Sequence, residues 1–351
     1  MTTSASSPAP STARGPAGAT WPAAGLPGRE PRVAILAGGL SHERDVSLRS
    51  GRRVAEALRS AGVDVSVHDV DSDLITALSQ LRPDLVWPVL HGASGEDGSM
   101  RDVVQLLGLR LLGTGPRASR AAWSKSIAKT VVSRAGLVTP EFVTLPQSLF
   151  RELGPARILS AIVDRLGLPV VVKPTRGGSA LGVSIVQTAD DLPRAMVDCF
   201  AYAGTALIER AVSGVEVAVS VVDLGDGPIA LAPVEIVTDG PYDYDARYNP
   251  GRVEYFTPAR LSDSTRAEVE RVALVAHQAL GLSRLSRTDL IVDAEGVANF
   301  LEVNVSPGMT ETSLLPQAAE ASGYNLGSLY RSLVEASLAD SPAGLQPLTG
   351  P

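Results

Sequence analysis

The sequence predicts an α/β fold that begins with a doubly wound domain, and three observations point there. Short β-branched runs alternate with helix-compatible stretches from residue 32 onward. The first run, Arg32–Ala37, ends in Gly38-Gly39, a glycine turn of the kind that hands a buried strand to a helix. The 351 residues suffice for two to three domains of roughly 150 residues each, and with 44% hydrophobic and 20% charged residues the chain can bury a large core.

The elements follow in order. After the glycines come Leu40-Ser41-His42-Glu43-Arg44-Asp45 and a helix from Val46 to about Ser60, capped by Asp45, with Val54 and Leu58 on one face. Val63–His68 and Leu85–Leu90 read as the next strands, the latter running into His91-Gly92. A doubly wound domain carries its site at the carboxyl ends of such strands. The glycines do not form GxGxxG, so a dinucleotide site is unsupported. A helix fits 99–107, and Gly113-Thr-Gly-Pro116 breaks the chain at a domain boundary. Helical segments near 118–135 precede strands at 142–145, Val170–Lys173 and Val183–Gln187, then a helix over 189–203. The expected division is 32–117, 118–208 and 209–340. Residues 1–31, rich in Ala, Pro, Ser, Thr and Gly, form a tail expected to be disordered and without a secretory signal, and 341–351 form a second tail.

Composition narrows the function. A net charge of −7 disfavours bulk binding to nucleic acid or an anionic membrane. The single cysteine, Cys199, allows neither an intrachain disulfide nor a cysteine zinc cage. No run of about 18 apolar residues exists to span a bilayer, and a cytoplasmic protein is expected. Of 31 basic residues only three are lysines, Lys125, Lys129 and Lys173, so a lysine retained against that arginine bias marks a position where the ammonium matters.

The stretch 286–306 is the most informative. Arg287–Asp293 reads as a strand, Glu295-Gly296 as a two-residue turn and Val297–Asn304 as the return strand. That register sets Asp289 opposite Glu302 and Arg287 opposite Asn304, all on one face. Facing carboxylates repel, and a divalent cation between them removes the repulsion. Asp, Glu and Asn oxygens without His or Cys suit Mg²⁺ or Mn²⁺, which commonly carry substrate phosphates. Arg287 then neutralises transferring charge. The alternative is a solvated face with a casual ion pair.

Other segments fit phosphate. Lys173-Pro-Thr-Arg-Gly-Gly-Ser-Ala-Leu-Gly182 places a lysine at a strand end before a glycine-rich loop whose amides can close over phosphates, though it is not a Walker A motif. Lys125 offers a second compact ammonium. Ala206–Val212 reads as an apolar strand entering a hinge whose backbone can read an adenine edge, and Glu216 can accept from ribose hydroxyls.

Six motifs in order carry a resemblance: GGLSHERDVSLRSG (38–51), LHGASGEDG (90–98), VKPTRGGSALG (172–182), YDYDARY (242–248), SRTD (286–289) and LEVNVSPGMTETSLLP (301–316). Over about residues 32–340 the chain resembles the D-alanine–D-alanine ligases of the ATP-grasp superfamily. The resemblance implies an ATP-grasp fold, α+β in its ATP-binding part, behind a Rossmann-like N-terminal domain. It implies a cell-wall activity: ATP phosphorylates the carboxylate of one D-alanine, and the amine of a second attacks the acyl phosphate. ATP, D-alanine, two Mg²⁺ or Mn²⁺ ions and a homodimeric partner are expected with it.

The resemblance also implies residue roles. Glu43 holds the first substrate's ammonium, with Ser179 and Tyr248 bonded to it, the latter from a flap. Lys125 and Lys173 bind ATP phosphates; Glu209, Arg210 and Val212 form the adenine hinge, with Glu216 at the ribose. Asp289, Glu302 and Asn304 hold the metal. Arg287 and the Gly308 amide stabilise the oxyanion and phosphoryl group, Ser313 and Leu314 receive the second substrate's carboxylate, and His91 has a positioning role. Three positions depart from the family pattern. Arg247 stands where the flap usually has lysine, Ala180 where the loop often has a second serine, and Ala211 where the hinge often has an aromatic. These departures bear on substrate more than chemistry, so a ligase for another amino-acid pair is the rival reading. The tyrosine flap argues against a depsipeptide ligase, and the intact Asp289, Glu302, Asn304 set argues against a regulator without catalysis.

Overall fold

The structure, a computed structural model, describes residues 29–238 and 253–340. Both terminal tails fall outside that range apart from residues 29–31, and so do Arg247 and Tyr248.

The N-terminal part contains β1 (Arg32–Leu36), α1 (Arg44–Ser60), β2 (Asp64–His68), α2 (Leu74–Leu81), β3 (Leu85–Pro88), α3 (Ala93–Glu96) and α4 (Ser99–Leu106). The strands form a parallel sheet in the order β2-β1-β3. Its two faces follow the period-2 pattern of β1. Val33 and Ile35 pack with Val54 and Leu58 of α1, while Ala34 and Leu36 pack with Leu74, Leu78 and Val104 on the other side. The doubly wound expectation therefore holds. Asp45 is not the cap of α1: the helix begins at Arg44 with Glu43 as its N-cap residue, and Asp45 lies inside the first turn, where its charge favours the helix dipole.

The helical segments expected near 118–135 are two helices, α5 (Pro116–Trp123) and α6 (Lys125–Arg134), separated at Ser124. A four-stranded antiparallel sheet then forms from β4 (Phe142–Pro146), β5 (Val170–Pro174), β6 (Ser184–Val186) and β7 (Thr205–Arg210), in the order β4-β7-β5-β6. It is accompanied by α7 (Gln147–Leu153), α8 (Pro155–Leu166) and α9 (Leu192–Phe200). Strand β7 runs across the boundary expected at 208/209.

The last part holds β8 (Val215–Asp223), β9 (Pro228–Ala230), β10 (Val234–Thr238), β11 (Val253–Phe256), α10 (Asp263–Ala279), β12 (Leu285–Val292), β13 (Ala298–Asn304), α11 (Leu314–Ala321) and α12 (Leu326–Ala339). Its sheet runs β11-β10-β8-β12-β13, with β9 on β8. Helices α5 and α6 pack on β13, so the segment that carries Lys125 rests on this sheet. Helix α12 returns to the N-terminal domain and lies against α1. There Tyr330 meets Trp87 edge-on, with ring centroids 5.5 Å apart. One apolar core therefore joins the first and last described parts of the chain and fixes the first domain over the later sheets.

Candidate active site

Two clefts meet between these three parts and share Lys125, Gly177, Gly178 and Glu302. In the first, Glu43 and His91 come from the N-terminal domain, Ser179 from the glycine loop, Arg287, Glu302 and Asn304 from the β12–β13 hairpin, and Gly308, Ser313 and Leu314 from the segment after it. The second cleft lies between the four-stranded and larger sheets and spans about 1530 Å³ including its mouth. Lys173, Glu209, Arg210, Val212, Glu216 and Asp289 line it, with apolar walls from Ile185, Ile291 and Leu301. Every described residue expected at the site borders one of the two clefts.

The hairpin reaches the expected pairing by a different route. Arg287 stands opposite Asn304 and Asp289 opposite Glu302, but beyond them Leu290 faces Phe300. The turn holds three residues, not two: the Asp293 amide donates to the Val297 carbonyl at 3.1 Å, and Gly296 sits at φ +80. The longer turn slips the register by one residue, and a bulge at Leu301 restores it. The bulge also leaves Leu301 on the wall of the second cleft.

The electrostatic reason for a metal needs correction. Both carboxylates have protein cations beside them. Arg287 binds Asp289 through two bonds of 2.7 and 2.8 Å, and Lys125 Nζ lies 2.8 Å from Glu302. Asn304 Oδ1 accepts from the Ser306 amide at 2.7 Å. The acidic face is thus compensated without an added ion. Among the described residues no three His, Cys, Asp or Glu side chains gather as a metal site. The oxygen-only set of two facing carboxylates and an amide still fits a hard cation such as Mg²⁺.

In the first cleft the Ser179 hydroxyl donates to Glu43 through a short contact. The loop achieves this with Ser179 and Ala180 both left-handed, at φ +53 and +56. A Cβ on Gly178 would stand 3.4 Å from Glu43, so the loop passes the carboxylate at van der Waals range. Gly308 is constrained more tightly: a Cβ would lie 2.6 Å from Ser313 Oγ. Ser313 is the N-cap residue of α11 and its hydroxyl accepts from the Thr310 amide at 3.0 Å. The open amide end of α11 therefore faces the cleft, a setting that favours a carboxylate.

His91 is buried behind the cleft. Its Nδ1 donates to the Ser306 carbonyl at 3.0 Å, Nε2 accepts from Ser50 Oγ at 3.3 Å, and that oxygen accepts from the Met309 amide at 3.1 Å. Burial holds the imidazole below its ordinary pKa, so it is neutral and serves to fix the 306–309 segment.

Two residues of the site receive no role from sequence reasoning. Glu96, inside the LHGASGEDG motif, is buried and accepts from the Gly92 amide at 3.0 Å; burial, then the nearby Glu43 charge, pushes it up to about 8. Lys129, the third retained lysine, is fully buried and lies 2.7 Å from Glu209. Lys173 contacts the other oxygen of the same carboxylate. Burial lowers Lys129 to about 8. Burial opposes the Glu209 charge, but Lys173 and Lys129 outweigh it and hold the carboxyl below its ordinary range. The Glu209 side chain is thus enclosed between lysines. The Arg210 guanidinium likewise turns to the Leu166 carbonyl and Glu141, and the Ala211 amide is taken by Pro169. The backbone from Glu209 to Val212 borders the second cleft.

Solved structures share this architecture. The D-Ala:D-Ser ligase VanG of Enterococcus faecalis aligns over 88% of this chain and 100% of its own, at TM-score 0.78 and 26% identity. The D-alanine–D-alanine ligase of Bacillus anthracis, complexed with ATP, aligns over 88% and 97%, at TM-score 0.74 and 26% identity. Fold and clefts together define an ATP-grasp ligase. The sequence model described as D-ala D-ala ligase C-terminus matches residues 131–335. The D-alanine–D-alanine ligase of Desulforudis audaxviator is 40% identical over 305 residues, 86% of this chain and 97% of its own. That of Anaeromyxobacter dehalogenans is 38% identical over 307 residues, 87% and 96%. The chain belongs to the D-alanine–D-alanine ligase family. Among the described residues no helix is long and apolar enough to cross a membrane.

Proposed function

We propose that this protein joins two D-alanines into D-alanyl-D-alanine at the expense of ATP, for peptidoglycan precursor synthesis. The carrying observation is that the two clefts meet at Lys125, Gly177, Gly178 and Glu302, so a nucleotide in one presents its terminal phosphate to a carboxylate in the other.

A carboxylate is a poor electrophile until one oxygen becomes a leaving group. An oxygen of the first D-alanine attacks the γ-phosphorus of ATP, and ADP departs with the bonding electrons. The amine of the second D-alanine then attacks the acyl carbon. The tetrahedral intermediate collapses by losing phosphate, and the amine proton goes with the departing group or solvent. Positioning and charge stabilisation account for the catalysis. Glu43, held by Ser179, takes the first ammonium. Arg287 and the Gly308 amide face the charge that develops at the reacting centre. The amide end of α11 at Ser313 and Leu314 receives the second carboxylate. Lys125 and Lys173 hold phosphates, the backbone of Glu209, Arg210 and Val212 reads the adenine edge, and Glu216 accepts from the ribose. Tyr248 and Arg247, which lie outside the described residues, are assigned to binding the first substrate. Asp289, Glu302 and Asn304 hold Mg²⁺ or Mn²⁺, two ions in all, which when bound screen the oxygens of the transferring phosphoryl group. The protein acts as a cytoplasmic homodimer.

A second reading, a ligase for a mixed pair, is favoured by the likeness to VanG. Incubation with ATP, Mg²⁺ and single or paired amino acids decides. Phosphate release with D-alanine alone supports the first reading. Release only with a mixed pair replaces it with the second.

A further inference from the structure

The phosphate-side lysine does not stand alone. Lys173 on β5 and Lys129 on α6 hold the two oxygens of one carboxylate, Glu209 on β7. Lys129 is fully buried and Glu209 nearly so. Lys173 borders the nucleotide cleft; Lys129 does not, and its ammonium instead sits 3.5 Å from the Phe300 carbonyl of β13 and 5.5 Å from the Phe142 ring of β4. It therefore stands between the two sheets that form the cleft and touches both.

Counting charge shows what this does. Lys173 with Glu209 alone is a neutral pair: the carboxylate would absorb the lysine's charge and its hydrogen bonds. With Lys129 on the other oxygen the cluster carries one net positive charge, and the end of it that borders the cleft is Lys173. We propose that Lys129 is a positioning residue for nucleotide binding: it neutralises Glu209, so that Lys173 presents a whole charge to ATP phosphates, and ties that charge to both sheets. Burial keeps the arrangement strong, because a buried pair is little screened.

This rests on the ATP-binding reading, so D-alanine-dependent phosphate release by the wild-type protein is measured first; its absence defeats that reading, not this one. The variants Lys129→Met, Glu209→Gln and Lys129→Met/Glu209→Gln are then compared for ATP and D-alanine KM. Lys129→Met is expected to raise the ATP KM about tenfold or more and to move the D-alanine KM less than twofold. The double variant, which removes the unneutralised carboxylate, is expected to return the ATP KM to within about threefold of wild type. A purely structural role predicts the opposite, because the double variant loses still more contacts. An unchanged ATP KM in Lys129→Met, or a double variant no better than it, overturns the proposal. Where Lys129→Met does not fold, Lys129→Gln takes its place: it keeps a donor to Glu209 but not the charge, so the ATP KM should again rise about tenfold, and an unchanged ATP KM overturns the proposal.

Discussion

The two clefts are built differently. The cleft proposed for the nucleotide lies between sheets: Lys173, Val212, Glu216 and Asp289 sit on or just beyond paired strands. The cleft proposed for the amino-acid substrates is assembled from loop ends of three parts of the chain, with Glu43 before α1, Ser179 on a left-handed loop and Gly308 in the irregular segment between β13 and α11. The first is fixed by ladder hydrogen bonds. The second depends on single side-chain contacts across domains, such as Ser179 to Glu43 and His91 to Ser306. A substitution at the shared boundary should therefore disable both clefts, and one in a loop should damage substrate binding alone.

Glu302 stands on that boundary and tests the comparison most severely. Glu302→Gln keeps the shape but removes the charge that faces Asp289 and Lys125. The expected result is a fall in kcat of about a thousandfold, read as phosphate release, with no rescue by excess ATP or D-alanine. Arg287→Met comes next. It strips Asp289 of its bidentate partner and the first cleft of its guanidinium, and kcat should fall about a hundredfold. Equal losses in kcat and kcat/KM would place its effect in the transition state.

Ser179→Ala separates the clefts. Losing a hydrogen bond to a carboxylate is worth about 1.5–3 kcal/mol, so the D-alanine KM should rise about ten- to a hundredfold while the ATP KM stays within twofold. A comparable rise for ATP would mean that the loop acts on both clefts and the contrast fails.

The same contrast governs what the sequence reveals. Strand pairing follows period-2 patterning, which is why the residue pattern alone can set Asp289 against Glu302. Even there two local irregularities, a three-residue turn and the Leu301 bulge, are individually invisible, because their register shifts cancel and leave Asp289 paired with Glu302. Lys129 is visible as a rare residue, but its partner depends on how α6 rests on β13 and beside β7, a tertiary fact. Glu96 sits inside a legible motif, yet its burial follows from packing between domains. The return of α12 to the N-terminal sheet is equally tertiary: its apolar face does not say which partner it covers.

Glu96 gives the smallest effect and tests the loop side without touching a ladder. Its ordinary pKa of 4.5 rises to about 8 in the fold, through burial first and the Glu43 charge second. Between those values the folded protein holds a proton that the unfolded chain has released. Stability contributed by this group is therefore fully present below about pH 4.5 and is lost as pH climbs toward 8. Glu96→Gln keeps a neutral side chain able to bond the Gly92 amide and has no proton to lose. The variant's melting temperature relative to wild type should therefore increase steadily from pH 5 to pH 8 and level off above it. A constant difference across that range would mean that Glu96 is already ionised at neutral pH, in which case a second anion stands beside Glu43 and the substrate cleft has more negative charge than its hydrogen bonds imply.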